Sequence, residues 1–294
     1  MPPALIAVDW GTTRLRAWLI AADGAVLDRT ASDDGILAVP AEGLPSTLLG
    51  RVGPWLERNG CLPVAMAGMV GSRNGWVEVP YVECPAGIPR LAAALTRMPL
   101  GDGIDALIVP GLITRDADGT PDVMRGEETK IAGAGLDDGV VVMPGTHGKW
   151  ARLAGGIVEG FATFMTGELY AALTGHTILG RLAEDPDDSA GFSRGLAASR
   201  RPGGLTHQLF AARTLVLAGD MPGTQVRPYL SGLLIGTELD HGRALAAGSD
   251  LVLVADGAFA ESYGAAFAAL GVPVRCCDPE AVFLRGLARI VAAA

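Results

Sequence analysis

The sequence predicts an α/β protein of two domains, on three observations. Its 294 residues, 49% of them hydrophobic and 19% charged, are enough to bury two cores. A strand, a glycine–threonine turn and two further strands open the chain over residues 5–30, and the same order returns over 139–163. Beyond that second unit the apolar residues recur mostly at helical spacing.

Leu5-Ile6-Ala7-Val8 is an apolar run of the kind a buried strand needs. After the turn, Leu15, Ala17 and Leu19 alternate with Arg14, Arg16 and Trp18, the period of a strand with one buried face. Gly24 turns the chain into a third strand over Ala25–Thr30. Leu44–Asn59 predicts a helix with Pro45 in its first turn, where a missing N–H breaks no bond. Val64–Met66 is a strand entering the loop Ala67–Ser72, and Asp105–Val109 is a strand stopped by Pro110-Gly111. Gly126–Gly133 is a short helix with two acids in its first turn.

In the second half, Val140–Met143, Lys149–Leu153 and Gly156–Thr163 predict strands around the turn Pro144–Gly148. Helices are expected over Thr166–Thr174, Ala190–Ser199, Thr206–Leu217, Gln225–Ala247, Glu261–Leu270 and Pro279–Ala292, with strands at Leu251–Ala255 and Pro273–Cys276. The repeat puts the domain boundary near Asp138, giving domains 1–138 and 139–294 with no long linker.

A net charge of −9 argues against a broad nucleic-acid or anionic-membrane surface. No apolar run is long enough to span a bilayer, and Met-Pro-Pro-Ala leads straight into a strand, so a cytoplasmic protein is expected. Cys61, Cys84, Cys276 and Cys277 lack a Cys-x-x-Cys spacing and read as structural thiols. His147, His176, His207 and His241 are too scattered for a zinc site.

The chemistry begins at Asp9-Trp10-Gly11-Thr12-Thr13. A glycine turn bearing two hydroxyls lets backbone and side-chain donors approach phosphate oxygens, and the acid can hold Mg2+ through water. The plainer alternative is an ordinary hairpin turn. Gly145-Thr146-His147 falls in register with Gly11-Thr12-Thr13, Ala151 with Ala17, and Leu153 with Leu19. Two such turns facing each other would enclose a nucleotide and exclude water from the reacting phosphate.

These features resemble the actin-like ATPase superfamily, which includes sugar kinases. Asp9–Thr13 looks like its first phosphate motif, Pro144–His147 stands at the second, and Val252–Ala258 looks like the adenosine motif. Six blocks in order, at 7–13, 66–72, 124–129, 143–150, 165–169 and 231–238, resemble the 2-keto-3-deoxygalactonate kinases over essentially the whole chain. The resemblance implies two actin-like ATPase (ribonuclease H-like) domains with a nucleotide cleft between them. It implies use of ATP and Mg2+ to phosphorylate O6 of 2-dehydro-3-deoxy-D-galactonate, giving 2-dehydro-3-deoxy-6-phosphogalactonate and ADP. Gly11, Thr12, Thr13 and Arg14 with Gly145, Thr146, His147 and Lys149 would then hold the nucleotide phosphates, and Ala255 and Gly257 the nucleoside.

One departure redistributes the roles. In register Asp9 pairs with Met143, so the second turn has no acid, and His147 and Lys149 bring donors or positive charge instead. Asp9 becomes the first choice for metal. Arg-Gly-Glu-Glu-Thr-Lys at 125–130 resembles the Gly-x-Glu-Glu segment of exopolyphosphatases, where a glutamate orients the nucleophile. Glu127 is the expected base, ahead of Glu128, with Asp9 competing; the plain alternative is that acids favour a helix N-terminus.

Gly68, Met69, Gly71, Ser72, Arg73 and Trp76 are expected to line the sugar-acid pocket, with Tyr81 as a further wall. Arg73 or Arg125 would pair with the substrate carboxylate, against the alternative of a surface ion pair. Glu168 in Thr166-Gly167-Glu168 reads as a capping-type acid in preference to a substrate contact. Gly232 and Gly236, in the block that opens at Ser231, read as helix packing in preference to an adenine contact. No Walker A loop, dinucleotide fingerprint or nucleophile elbow is present. The alternatives are a kinase for a related sugar acid such as the gluconate epimer, a phosphohydrolase of the same superfamily, and a ligand-sensing relative. The expected partner is a small sugar acid, with no nucleic acid or membrane; a homo-oligomer stays open.

Overall fold

The structure is a computed structural model that describes every residue except Met1, Cys61, Asp102 and Ala247. The chain divides into two compact units, one of Met1–Asp138, Leu153–Phe161 and Cys277–Ala294, the other of Gly139–Arg152 and Ala162–Cys276.

The first unit opens with the expected meander β1 (Pro3–Trp10), β2 (Leu15–Ala21) and β3 (Val26–Ser32), then α1 (Leu44–Asn59) and β4 (Val64–Gly68). Next come β5 (Val82–Glu83), α2 (Ile88–Ala93), β6 (Thr96–Gly101), β7 (Ile104–Ile108), β8 (Leu112–Arg115), β9 (Pro121–Met124) and α3 (Glu127–Gly133). Its main sheet runs β3-β2-β1-β4-β7-β6, and β5-β8-β9 form a small second sheet. β1 is antiparallel to β2 and parallel to β4, so Asp9 lies opposite Arg16 on one side and beside Ala67 on the other.

Ile6, Val8, Trp10, Leu15 and Leu19 meet Leu44, Leu48, Val52 and Trp55 of α1 in one core. The helical residues recur at four, four and three positions, one apolar stripe on the sheet. Each such burial is worth roughly 1.5–3 kcal/mol, which anchors the β1 end at a fixed height for the turn that follows.

The second unit contains β10 (Gly139–Met143), β11 (Gly148–Ala154), β12 (Ile157–Phe164), α4 (Thr166–His176), α5 (Ala190–Ala198) and α6 (Gly204–Leu217). It continues with α7 (Val226–Ala246), β13 (Leu251–Val254), α8 (Gly257–Ala269) and β14 (Arg275–Cys277). The sheet order is β12-β11-β10-β13-β14, with β10 parallel to β13. α8 starts at Gly257, four residues before the expected Glu261, because Asp256 and Gly257 (φ +49°) turn the chain directly out of β13. The expected last residue of α7, Ala247, lies outside the described residues.

Gly232 and Gly236 do pack against a neighbouring helix. A Cβ on Gly232 would lie 2.1 Å from the Phe192 carbonyl oxygen, and one on Gly236 2.4 Å from Ser199 Oγ, both on or at the end of α5.

α9 (Pro279–Ala292) follows β14 and belongs to the first unit, as does the end of the β11–β12 hairpin, although the sequence reading grouped both with 139–294. α9 crosses α3 where Gly133 meets Gly286. A Cβ on Gly133 would lie 1.8 Å from the Val282 carbonyl oxygen, and one on Gly286 1.8 Å from that of Thr129. Arg285 donates to the Gly133 carbonyl and Arg289 to that of Ala132, closing the C-terminal end of α3. α3 is thus fixed from its far end.

Among the described residues no helix is long and apolar enough to cross a membrane. Cys84 and Cys276 are free thiols, and burial pushes the Cys84 thiol up to about 11. Cys61 lies outside the described residues.

Candidate active site

The first phosphate turn, residues 11–14, is built from behind. Gly11 N–H donates to the Arg14 carbonyl, while Ile36 and Leu37 donate to the carbonyls of Gly11 and Thr12 at 3.0 and 3.2 Å. Gly35 permits that approach: a Cβ there would sit 2.3 Å from the Thr12 oxygen. Thr12, Thr13 and Arg14 are exposed, and Arg14 pairs with Asp33 at 3.5 Å. The Gly11 N–H, expected among the phosphate donors, is spent on closing the turn, while Thr12 and Thr13 keep their side chains exposed.

Asp9 is largely buried, its side chain 14% exposed, and its Oδ2 accepts from Arg16 Nη2. The pairing follows from register, since the two residues face each other across β1 and β2. The alternation of charge around the turn carried this signal, yet Arg16 was read only as an outward residue. On its other side Asp9 Oδ1 faces Gly68, where a Cβ would come within 3.3 Å of it and 2.8 Å of the Trp10 carbonyl oxygen. Gly68 has φ +96°, so neither the space nor the backbone suits another residue. Gly126 closes the group: a Cβ on it would lie 3.3 Å from Gly68 Cα. The end of β1, the loop after β4 and the start of α3 therefore converge.

Glu127 and Glu128, neighbours in sequence, occupy different surroundings. Glu127 is half-buried and its Oε2 accepts from Arg125 N–H at 3.1 Å. Glu128 is buried, with Oε2 accepting from Gly126 N–H at 2.6 Å and Oε1 from Thr129 Oγ1 at 3.0 Å. It lines a small, partly open pocket with Ala86, Ile131, Leu136 and Val158. Burial, and then the charge of Glu127, push its carboxyl up to about 8. Glu128, expected as a second catalytic acid, is buried and holds its proton near neutrality, whereas Glu127 beside it is only half-buried.

That shift has a consequence for stability. Below about pH 4.5, the ordinary value, Glu128 is protonated in both folded and unfolded chains. Between there and about 8 only the unfolded chain releases the proton, so stability falls as pH rises. A Glu128→Gln variant lacks this proton, and its amide can still accept from Gly126 N–H and donate to Thr129 Oγ1. Its melting temperature should rise relative to the wild type from pH 5 to pH 8; parallel melting curves across that range would contradict the assignment.

Around the expected sugar-acid loop, Ser72 Oγ donates to the Met69 carbonyl at 2.8 Å, and Trp76 packs edge-on to Trp10 at 6.1 Å beside the core. Both are thereby engaged in the loop's own structure. Gly71 is buried against Arg125: a Cβ on it would lie 3.0 Å from Nη1. Arg73 is exposed. Arg125 stacks over the Tyr81 ring at 4.4 Å and donates through Nη2 to the Val79 carbonyl at 2.7 Å. Its Nε and Nη1 are buried without a hydrogen-bond partner. Two desolvated donors on one guanidinium are a place where a carboxylate would be stabilised.

In the second unit, Thr146 and His147 are exposed on the turn between β10 and β11, and His147 Nε2 meets Glu168 Oε2. Glu168 is therefore not a capping acid; α4 has no side-chain cap bond. Lys149 is buried, and its Nζ donates to the His147 carbonyl at 3.2 Å, so it supports the turn from behind. Ala255 packs beside the core and Gly257 opens α8.

Sequence reasoning missed Glu238, the last residue of a quoted block. It is buried, and accepts from Trp150 Nε1 at 2.8 Å, Tyr263 Oη at 2.7 Å and Thr166 Oγ1. Burial raises its carboxyl and the three donors oppose that rise. Thr166 and Tyr263 also line a pocket of about 320 Å3 with Tyr170, Ser231, Leu234 and Phe259. Its apolar walls and few hydroxyls suit a flat heterocycle.

Among the described residues no group of three or more His, Cys, Asp or Glu could hold a metal. Mg2+ bound with a nucleotide takes one or two carboxylates, phosphates and water, which a single carboxylate can serve. Asp9 fits that need, with Oδ1 turned to a glycine and Oδ2 held by Arg16.

A full-length likeness shows the fold. The chain is similar in fold, at 12% identity and a TM-score of 0.50 over 98% of its length and 95% of the other, to the activator of 2-hydroxyisocaproyl-CoA dehydratase from Clostridium difficile. The fold is that of the actin-like ATPases, and the family match makes the chain a kinase of that fold. The family model for 2-keto-3-deoxy-galactonokinase matches residues 9–290, and the chain belongs to that family. It is 39% identical over 291 residues to a probable 2-dehydro-3-deoxygalactonokinase of Rhizobium meliloti (strain 1021), covering 96% of this chain and 94% of that one. It is 36% identical over 294 residues to the 2-dehydro-3-deoxygalactonokinase of Escherichia coli (strain K12), covering 99% and 98%. A crystal structure of a Sinorhizobium meliloti protein of the same provisional assignment has a TM-score of 0.91 at 37% identity, covering 98% of each chain.

Proposed function

We propose that the protein transfers the γ-phosphate of ATP to O6 of 2-dehydro-3-deoxy-D-galactonate, releasing ADP and the 6-phosphate. The family membership supports the reaction. The observation that carries the residue roles is the convergence of Asp9, Gly68 and Gly126 at the start of α3.

Glu127, next to Gly126, takes the proton of the O6 hydroxyl as that oxygen attacks phosphorus, while the bond to the ADP oxygen breaks. Arg125 binds the substrate carboxylate through an unpartnered guanidinium nitrogen such as Nη1, in preference to the exposed Arg73. Thr12, Thr13, Thr146 and His147 donate to the nucleotide phosphates. The pocket lined by Tyr170, Ser231, Phe259 and Tyr263 takes the adenine. Asp9 holds Mg2+ through water, and the metal, when bound, neutralises charge on the phosphate oxygens.

An ADP-release screen over a panel of 2-keto-3-deoxy sugar acids tests this. Release that depends on the galactonate compound is the expected result. Preference for the gluconate epimer would move the substrate, and release without any sugar acid would make the protein a phosphohydrolase.

A further inference from the structure

Resting on the nucleotide reading of the second unit, we propose that Glu168 is the positioning residue of the second phosphate turn. It accepts from Nε2–H of the His147 ring so that, with the ring as imidazolium, Nδ1–H donates to the nucleotide phosphates.

Two consecutive residues at the start of α4 act on this turn, and the one before them fixes the helix start. Gly167 lies against its backbone: a Cβ there would come within 2.4 Å of the Gly145 carbonyl oxygen and 2.9 Å of Thr146 Cα. Glu168 N–H donates to the Thr146 carbonyl at 3.1 Å, and its carboxylate takes His147 Nε2. Thr166 Oγ1 is tied to the buried Glu238, which fixes the helix start itself. Lys149 Nζ holds the His147 carbonyl from the other side. The turn backbone is thus pinned at Gly145, Thr146 and His147, and the imidazole has its own anchor.

The bland account is an exposed ion pair worth no more than about 1 kcal/mol, or an acid placed for the helix dipole. Two observations weigh against it. The Glu168 carboxylate is spent on a ring in the phosphate turn and not on a helix N–H. The second turn also lacks the acid of the first, leaving His147 as its exposed ionisable side chain. A carboxylate behind a histidine fixes the ring's orientation and so the direction of its second nitrogen.

The test uses Glu168→Ala, Glu168→Gln, His147→Ala and the double Ala variant, read by calorimetric ADP affinity and by kcat and KM for both substrates. Glu168→Ala should weaken ADP binding and raise KM for ATP by about tenfold, with KM for the sugar acid unchanged. Glu168→Gln should recover most of this, since its amide oxygen still accepts from Nε2–H. In the His147→Ala background the Glu168 change should add nothing. Wild-type ADP affinity in Glu168→Ala, or losses that add in the double variant, would overturn the proposal. A wild type that phosphorylates no sugar acid, yet shows the same coupling in ADP binding, would refute the proposed substrate alone.

Discussion

Replacing Glu127 by Gln is expected to lower kcat by about 100- to 10,000-fold while KM for ATP moves only a few-fold. A base acts on the hydroxyl proton in the transition state, so its loss appears in kcat and not in ground-state nucleotide binding. The amide keeps the acceptor that Arg125 N–H uses, so the start of α3 should stay in place. α3 is also held from its far end by the Gly133–Gly286 crossing and by Arg285 and Arg289. Steady-state kinetics with both substrates, beside a melting curve, reads the effect. A normal kcat would move the base to Asp9, because Glu128 is buried and keeps its proton to about pH 8.

Asp9→Ala should reduce turnover by about a thousandfold or more, since it removes the acid proposed to hold the metal against the phosphates. It also strips Arg16 of its partner. Arg16 is 42% exposed, so that structural loss stays within about 1 kcal/mol. Arg16→Ala separates the two effects: it breaks the same pair and leaves the acid, so it should retain far more activity than Asp9→Ala. Turnover by Asp9→Ala within a few-fold of the wild type would remove Asp9 from the metal role.

The legible parts of the fold were those written in local period. The meander, α1 and α9 were readable because apolar alternation and helical stripes are properties of neighbouring residues. β5, α2, β6, β8 and β9 were not, since β5 is two residues long and β6 carries Pro99, and their pairing depends on partners far along the chain. The return of α9 to the first unit was equally hidden. It rests on two glycines 153 positions apart, Gly133 and Gly286, that allow backbone contact between helices.

The same division runs through the site. Asp9, the threonines and the Glu127-Glu128 pair stood out because turn chemistry and adjacency are local. Which glutamate faces inward was decided by packing around Glu128, beyond anything spacing could express. Glu238 gathers Trp150, Thr166 and Tyr263 from three other elements, so its role existed only in three dimensions.

The most direct measurement is to incubate the protein with MgATP and 2-dehydro-3-deoxy-D-galactonate and locate the transferred phosphate by phosphorus–proton correlation NMR. The account predicts one phosphate on the primary C6 oxygen per ADP released. Phosphate appearing as inorganic phosphate, or on any other oxygen, would contradict it.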